Sequence, residues 1–229
     1  MEKFTQSVDQ AVVALGDEFP GGVEQVTKSI GGLQKLFKQT EDLKPDQAIT
    51  KIGSALNALG ADGSATAPVV AEFTARIGQL GDLAPEITQT LGLGAAMQEL
   101  GLSAEISSGG VTNVLLTAGK ETEKFSKQLN LTEEAFQQLL NADPNEVLLR
   151  LAASLKGASN TQIVATLDNL GIKSQEATKV VSLLANQTDL VRQKQALASA
   201  EFTKGTSLYD EFTLSDFSIS AMESLPFLA

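Results

Sequence analysis

Helix-start residues, apolar stripes and helix-stop glycines follow one another without a break from Val69 to Thr213. Within this stretch, apolar residues recur every three or four positions, the spacing that places side chains on one face of an α-helix. No segment shows a sustained alternation of polar and apolar residues rich in Val, Ile and Thr, which is the pattern of a half-buried strand. The sequence therefore predicts an all-α fold, an irregular multi-helix bundle of about ten helices with short loops.

Several helices in this run begin at recognisable capping residues. Ser103 and Ser174 each precede a helical stripe, and Asn160 is the predicted cap of a further helix. Thr132 is followed by two glutamates. Asp143 is followed by a proline at the first helical position and by Glu146 at the third, a spacing that predicts a reciprocal cap between Asp143 and Glu146. These residues predict where five of the helices start.

Glycines inside the helical stripes predict breaks or close helix contacts. Gly31 and Gly32 lie within an N-terminal stripe, where each costs about 1 kcal/mol relative to alanine and predicts a kink or a close helix crossing. Gly92 and Gly94 leave one side of a helix almost bare, which favours tight packing against another helix. The glycine pair in residues 107–110 predicts a bend between two helical pieces.

The helical pattern divides the chain into residues 1–204, a helical core, and residues 205–229, a C-terminal arm or linker. After Gly205 the pattern fails, and single aromatic residues stand among Ser, Asp and Glu. These aromatic residues are Tyr209, Phe212, Phe217 and Phe227. A docked arm, a linker and a disordered end all fit this composition, and the segment also fits the stub of a longer protein.

Composition excludes several kinds of chemistry. The 229-residue chain contains neither Cys nor His, which excludes disulfides, cysteine nucleophiles, Cys/His zinc clusters and every Ser-His or Cys-His catalytic arrangement. Sites for Ca²⁺ or Mg²⁺ built from carboxylates alone remain allowed. The formal net charge of −11 argues against binding DNA or anionic membranes through the overall field, so no specific nucleic-acid site is predicted.

Three local patterns resemble functional sites, and each has a simpler structural explanation. The glycines of Leu91–Gly94 lack the third glycine and the preceding strand of a phosphate-binding loop, which favours a helix crossing. Lys120, Lys124 and Lys127 form one helix edge, but glutamates are interleaved with them, which indicates a solvated face. Paired carboxylates occur only as adjacent residues, which do not face each other across a cleft. Among these pairs are Asp17 with Glu18, Glu133 with Glu134, and Asp210 with Glu211.

The sequence thus predicts no catalytic, cofactor-binding or metal-binding residue, no cofactor and no enzymatic activity. Residues 1–15 place charged residues among the apolar ones, so no secretory signal peptide is predicted. No stretch approaches the ~18 to 20 apolar residues of a membrane-spanning helix. Synthesis in the cytoplasm is expected.

Six motifs follow one another in the second part of the helical pattern. They are residues 70–105, residues 127–142 with Thr132-Glu-Glu-Ala-Phe136, Asp143–Val147, Leu170–Ala177, Leu184–Leu190 and Ala196–Glu201. In this order and spacing the set resembles the core region of phage tail tape measure proteins, and the similarity extends over residues 45–213. One departure lies at residues 108–113, where the family tends to have a single glycine and then an arginine.

The resemblance implies a structural virion protein of phage or prophage origin that takes part in virion assembly. Such proteins occupy the tail lumen, and their length sets the length of the tail. The resemblance also implies tail assembly chaperones and the tail tube protein as partners, self-association, synthesis in the bacterial host cytoplasm and localisation in the virion tail. No catalytic residues belong to this core region.

The length of the chain limits the length of tail that it could set. As one unbroken helix, 229 residues would span roughly 340 Å, which is shorter than long tails require. We therefore expect a core fragment or a truncated prophage-encoded version. The alternative function is a cytoplasmic helical protein–protein interaction module that binds a partner helix in an apolar groove. A hydrolase with a carboxylate-bound metal is the third and weakest hypothesis.

Overall fold

The computed structural model describes residues 2–214, without the side chains of residues 2 and 4, and contains no strand within that range. The helices are α1 Glu2–Leu15, α2 Gly22–Gln34, α3 Pro45–Ala61, α4 Ala67–Gly78, α5 Ile87–Glu99, α6 Ala104–Lys120, α7 Thr122–Gln128, α8 Glu133–Ala142, α9 Pro144–Ser154, α10 Asn160–Asn169, α11 Gln175–Leu184 and α12 Thr188–Lys204. A 3-10 turn covers Gly81–Leu83, and residues 207–214 are helical. The predicted all-α class is confirmed, with slightly more helices than the ten expected.

Local capping decides most of the helix starts. The predicted caps Ser103, Thr132, Asp143 and Ser174 each accept a hydrogen bond from the backbone N–H three residues later, at 3.0–3.3 Å. The prediction that Asn160 caps α10 is wrong by one residue. Ser159 is the cap, because its Oγ accepts from the Gln162 N–H while the Gln162 side chain accepts from the Ser159 N–H.

Two predictions about glycines are also wrong. Helix α6 continues without interruption through residues 107–110. A Cβ on Gly110 would lie 2.6 Å from the carbonyl oxygen of Glu176 in α11, so the missing side chain permits close helix packing instead of a bend. Helix α2 continues through Gly31 and Gly32, and no neighbouring atom lies within 4 Å of a Cβ built on either residue, so no helix of residues 2–214 crosses there.

The described residues pack into two hydrophobic clusters that share three helices. Helices α1–α3 form most of the first cluster, and α6–α11 form most of the second. Helix α4 contributes Val70 to the first cluster and Phe73 to the second, while α5 divides Leu91 and Leu93 in the same way. Helix α12 contributes to both clusters, so α4, α5 and α12 form the wall between them.

The start of the predicted C-terminal arm is docked on α3. The Leu208 side chain is fully buried beside Gly53 and Ile30, and the Asn57 side-chain amide donates a hydrogen bond of 2.8 Å to Ser207 Oγ. Tyr209, by contrast, is half exposed. The predictions for Phe217 and Phe227 concern residues that lie outside the described part of the chain.

Candidate functional site

The most concentrated polar structure in residues 2–214 surrounds α12 where it crosses α5. A Cβ on Gly92 would meet the backbone nitrogen of Gln195 and would lie 2.5 Å from its Cα, so the two helices touch through their backbones. On the same helix, a Cβ on Gly94 would lie 2.7 Å from the Phe73 ring in α4. The predicted tight packing at Gly92 and Gly94 is confirmed, and the glycines lie inside a helix rather than in a phosphate-binding loop.

Lys194 is the central residue of this crossing and is only 2% exposed. Its Nζ lies 2.9 Å from Asp62 Oδ2, just after α3, and 2.6 Å from Glu99 Oε1 at the end of α5. Gly63 packs closely against the Glu99 carboxylate and the Lys194 ammonium group, because a Cβ on Gly63 would clash with Glu99 and would lie 2.8 Å from Lys194 Nζ. One ammonium group therefore joins three separate parts of the chain.

The electrostatics of this group indicate a structural role for Lys194. Burial on its own lowers the pKa of Lys194, but the carboxylates of Glu99 and Asp62 outweigh burial and hold the pKa above its ordinary value of 10.5. A lysine that acts as a nucleophile needs a lowered pKa, which leaves the amine neutral. Lys194 therefore stays protonated and binds its two carboxylates.

Sequence reasoning detected only one sign of this junction. Lys194 interrupts the apolar stripe between Leu190 and Leu197, which marks it as unusual. Its partners Asp62 and Glu99 lie in distant segments, and no local pattern connects them with it.

Amide side chains extend the contact between α12 and the start of α9. Gln195 Nε2 donates to the backbone oxygen of Gln89 at 3.0 Å and to Asn145 Oδ1 at 2.7 Å. Asn145 is buried, and its own amide donates back to Gln195 at 3.3 Å. Gln89 in turn donates to the capping carboxylate of Asp143. Helices α5, α9 and α12 are therefore held together by a closed set of hydrogen bonds.

An ion-pair cluster of one mostly buried glutamate and two exposed arginines lies next to these amides. Glu146 accepts hydrogen bonds from Arg150 at 2.9 Å and from Arg192 of α12 at 2.8 Å. Burial raises the pKa of Glu146, but the two arginines outweigh burial, and the net pKa is lowered. Glu146 was expected to complete a reciprocal cap with Asp143, but its carboxylate binds these two arginines instead.

The acidic pairs singled out in the sequence lie apart from one another in the structure. Glu18 accepts a hydrogen bond of 2.7 Å from the Ala67 N–H and so caps α4 from a distant segment. Glu133 accepts from Thr122 Oγ1 at 2.6 Å in an exposed contact. Among residues 2–214, no group of three or more acidic residues is placed to hold a metal ion.

The predicted lysine edge is divided between two helices, with Lys120 at the end of α6 and Lys124 and Lys127 in α7, and all three residues are exposed. Lys124 pairs with Glu121 at 2.7 Å, and Lys127 pairs with Glu123 at 2.5 Å. The hydrogen bond and the charge of Glu123 raise the pKa of Lys127 above its ordinary value. These contacts match the expected solvated face.

Two shallow grooves run along α2, one on either side of its exposed crest. The first, of about 650 Å³, lies between α2 and α4, and the second, of about 500 Å³, lies between α2 and α3. Lys28 and Gly32 line both grooves. Apolar side chains contribute to the walls, namely Phe19, Leu33, Leu36 and Ala71 in the first and Ile30, Ala48 and Ile49 in the second.

Across the described part of the chain, no helix combines the length and the apolar character needed to cross a membrane. Comparisons with protein-family models, with curated proteins and with solved structures find no match for this chain.

Proposed function

We propose that this chain is a structural phage-tail protein that corresponds to the core region of a tape measure protein. The observation that carries the proposal is the ordered set of motifs within residues 45–213. In this role the chain acts without enzymatic activity, occupies the tail lumen and contributes to tail length. Its partners are tail assembly chaperones and the tail tube protein, with self-association in the lumen.

The positions of these motifs in the fold support a structural role. Gly101, with φ 83°, follows α5, and Gly171, with φ 87°, lies between α10 and α11. Asp143 caps α9, and residues 185–187 connect α11 to α12. The resemblance therefore involves residues that set helix ends and connections, which are the features that determine an architecture.

The helix contacts also support a chain that can change from compact to extended. At Gly92 the two helices meet through backbone atoms, and at Gly110 α6 lies against the Glu176 carbonyl and the Val180 side chain, so neither glycine has a side chain to disengage when the helices separate. Polar groups around Lys194 and Gln195 can be solvated when α12 leaves α5. We propose that the compact fold precedes tail assembly and that the helices separate as the lumen fills.

Tail length in the encoding phage or prophage tests this function. In-frame deletion of residues 122–187, which include α7–α11, removes 66 residues, or about 100 Å of helix at 1.5 Å per residue. An in-frame duplication of the same segment is the matched variant and should lengthen the tail by a similar amount. Unchanged tail lengths in both variants, measured by electron microscopy, would contradict the ruler role.

A further inference from the structure

Gly31 and Gly32 have no packing role within residues 2–214. A Cβ on Gly92 or Gly110 would collide with the backbone of a neighbouring helix, whereas no neighbouring atom of the described residues lies within 4 Å of a Cβ built on Gly31 or Gly32. Each of these two glycines nevertheless costs α2 about 1 kcal/mol relative to alanine. What the pair provides is a strip of bare backbone on the outer surface of α2.

The strip lies where a second helix can approach closely. Gly32 lines both grooves beside α2, and Gly31 lines the groove shared with α3, whose wall contains Ile30 and Ile49. The distance between two packed helices depends on the side chains at their contact, and falls to about 8 Å where these are small. The glycine crest and its apolar walls therefore fit the surface of an α-helix.

Two lysines flank the strip, and the other charged residue that lines the two grooves is Glu72, which pairs with Arg76. Lys28 lies three residues before Gly31, and Lys35 lies three residues after Gly32, about 10.5 Å from Lys28 along the helix axis. Both lysines are exposed, and neither forms an ion pair with any residue in 2–214. Glu24 lies one turn before Lys28 but does not pair with it. The strip is thus flanked by two unpaired positive charges on a chain whose net charge is −11.

We propose that this glycine face, defined by Lys28, Gly31, Gly32 and Lys35, docks an amphipathic helix of another protein. The partner helix has small apolar residues at the contact and carboxylates about two turns apart, which pair with the two lysines. A second copy bound through the same face is disfavoured, because two-fold symmetry would set lysines against lysines. This inference does not depend on the phage-tail function.

A designed peptide tests the charge requirement on the full chain. The probe is a blocked helical peptide of about 20 residues with an Ala and Leu face and two Glu residues seven positions apart, a spacing that gives about 10.5 Å. The matched probe carries Lys at those two positions. We expect the Glu peptide to bind, as measured by isothermal titration calorimetry, and the Lys peptide to bind at least tenfold more weakly. Combined Lys28→Glu and Lys35→Glu substitutions should reverse this preference.

A larger side chain at Gly32 tests whether the peptide binds at the glycine face. Gly32→Leu should weaken binding of the Glu peptide at least tenfold, whereas Gly109→Leu, at an exposed helical glycine of α6, should leave binding unchanged. Far-UV circular dichroism is expected to show a folded Gly32→Leu variant, because its side chain enters open space. Equal binding of both peptides, no binding at about 1 mM, or unchanged affinity of Gly32→Leu would overturn the proposal. Sedimentation showing a dimer that Gly32→Leu abolishes would identify a second copy as the occupant instead.

Discussion

One substitution, glycine to alanine, is expected to have opposite effects on stability at two helical positions. At Gly32 the new methyl group enters open space, so the variant gains the helix propensity of alanine, about 0.5–1 kcal/mol. At Gly92 the same gain is opposed by a collision, because the methyl carbon would lie 2.5 Å from Gln195 Cα and 2.7 Å from the Lys194 carbonyl carbon.

The size of the Gly92 penalty follows from this geometry. Carbon atoms pack best at about 3.5–4.0 Å, so α12 would have to move outward by roughly 1 Å. The obstacle is backbone rather than a flexible side chain, and the movement would also disturb the contacts of Lys194 and Gln195. Overpacking costs about 1–3 kcal/mol. We therefore expect Gly92→Ala to lose about 1–2 kcal/mol net and to differ from Gly32→Ala by about 1.5–3 kcal/mol.

Urea unfolding measures the free energies of unfolding of Gly32→Ala and Gly92→Ala, which can be compared directly when the two variants have the same m-value. In thermal unfolding, each kcal/mol should correspond to about 2–4 °C for a chain of this size. Gly109→Ala is the matched control, because it also places a methyl group on an exposed helical glycine and should stabilise the chain slightly. Stability of Gly92→Ala equal to or above that of the wild type would refute the backbone contact between α5 and α12.

The remaining predictions concern three buried or paired side chains. Lys194→Met should lower the free energy of unfolding by about 2–3 kcal/mol in urea melts, because it leaves Glu99 mostly buried and unpaired, and adding Glu99→Gln should recover part of the loss. The folded-state pKa of Lys194 is raised above 10.5, so its contribution to the free energy of unfolding should be complete below that pH. This contribution should be lost as the pH rises through the folded-state pKa, and a free energy of unfolding that stays constant at alkaline pH would contradict the prediction. The lowered pKa of Glu146 predicts a contribution to the free energy of unfolding that is present above pH 4.5 and is lost as the pH falls through the folded-state pKa. In acid unfolding measurements, Glu146→Gln should remove this pH dependence. Leu208→Ala should cost about 2–3 kcal/mol in thermal melts, whereas Leu214→Ala, at a side chain 68% exposed, should change stability by less than about 0.5 kcal/mol.

The local parts of the fold were predictable because their causes lie within a few residues of one another. Thr132 and Asp143 cap their helices through N–H groups three residues away, so the sequence shows both partners together. The wrong prediction of Asn160 instead of Ser159 as the cap of α10 is also a local error, of one residue. The reciprocal partner Gln162 was visible in the sequence, and its spacing favours Ser159 over Asn160 by one residue.

The candidate sites were less predictable, because their partners are far apart in the chain. The absence of Cys and His excluded whole classes of catalytic site from composition alone. Lys194 stood out as a charge within an apolar stripe, but only folding brings Asp62 and Glu99 to within 3 Å of its Nζ. Glu18 likewise looked like half of an acidic pair until the fold placed it at the start of α4, where it accepts from the Ala67 N–H.

The helical glycines show most clearly the difference between what the sequence predicts and what only the tertiary structure decides. The apolar periodicity around them was sufficient to predict an all-α chain, because this pattern is formed by residues close together in the sequence. Whether a bare position touches another helix depends on residues remote in sequence. Gly110 meets Glu176 of α11, and Gly92 meets Gln195 of α12, while Gly32 meets nothing within 4 Å in the described part of the chain. The tertiary structure alone decides which glycines join helices and which leave a surface open, because packing is set by where distant helices come together.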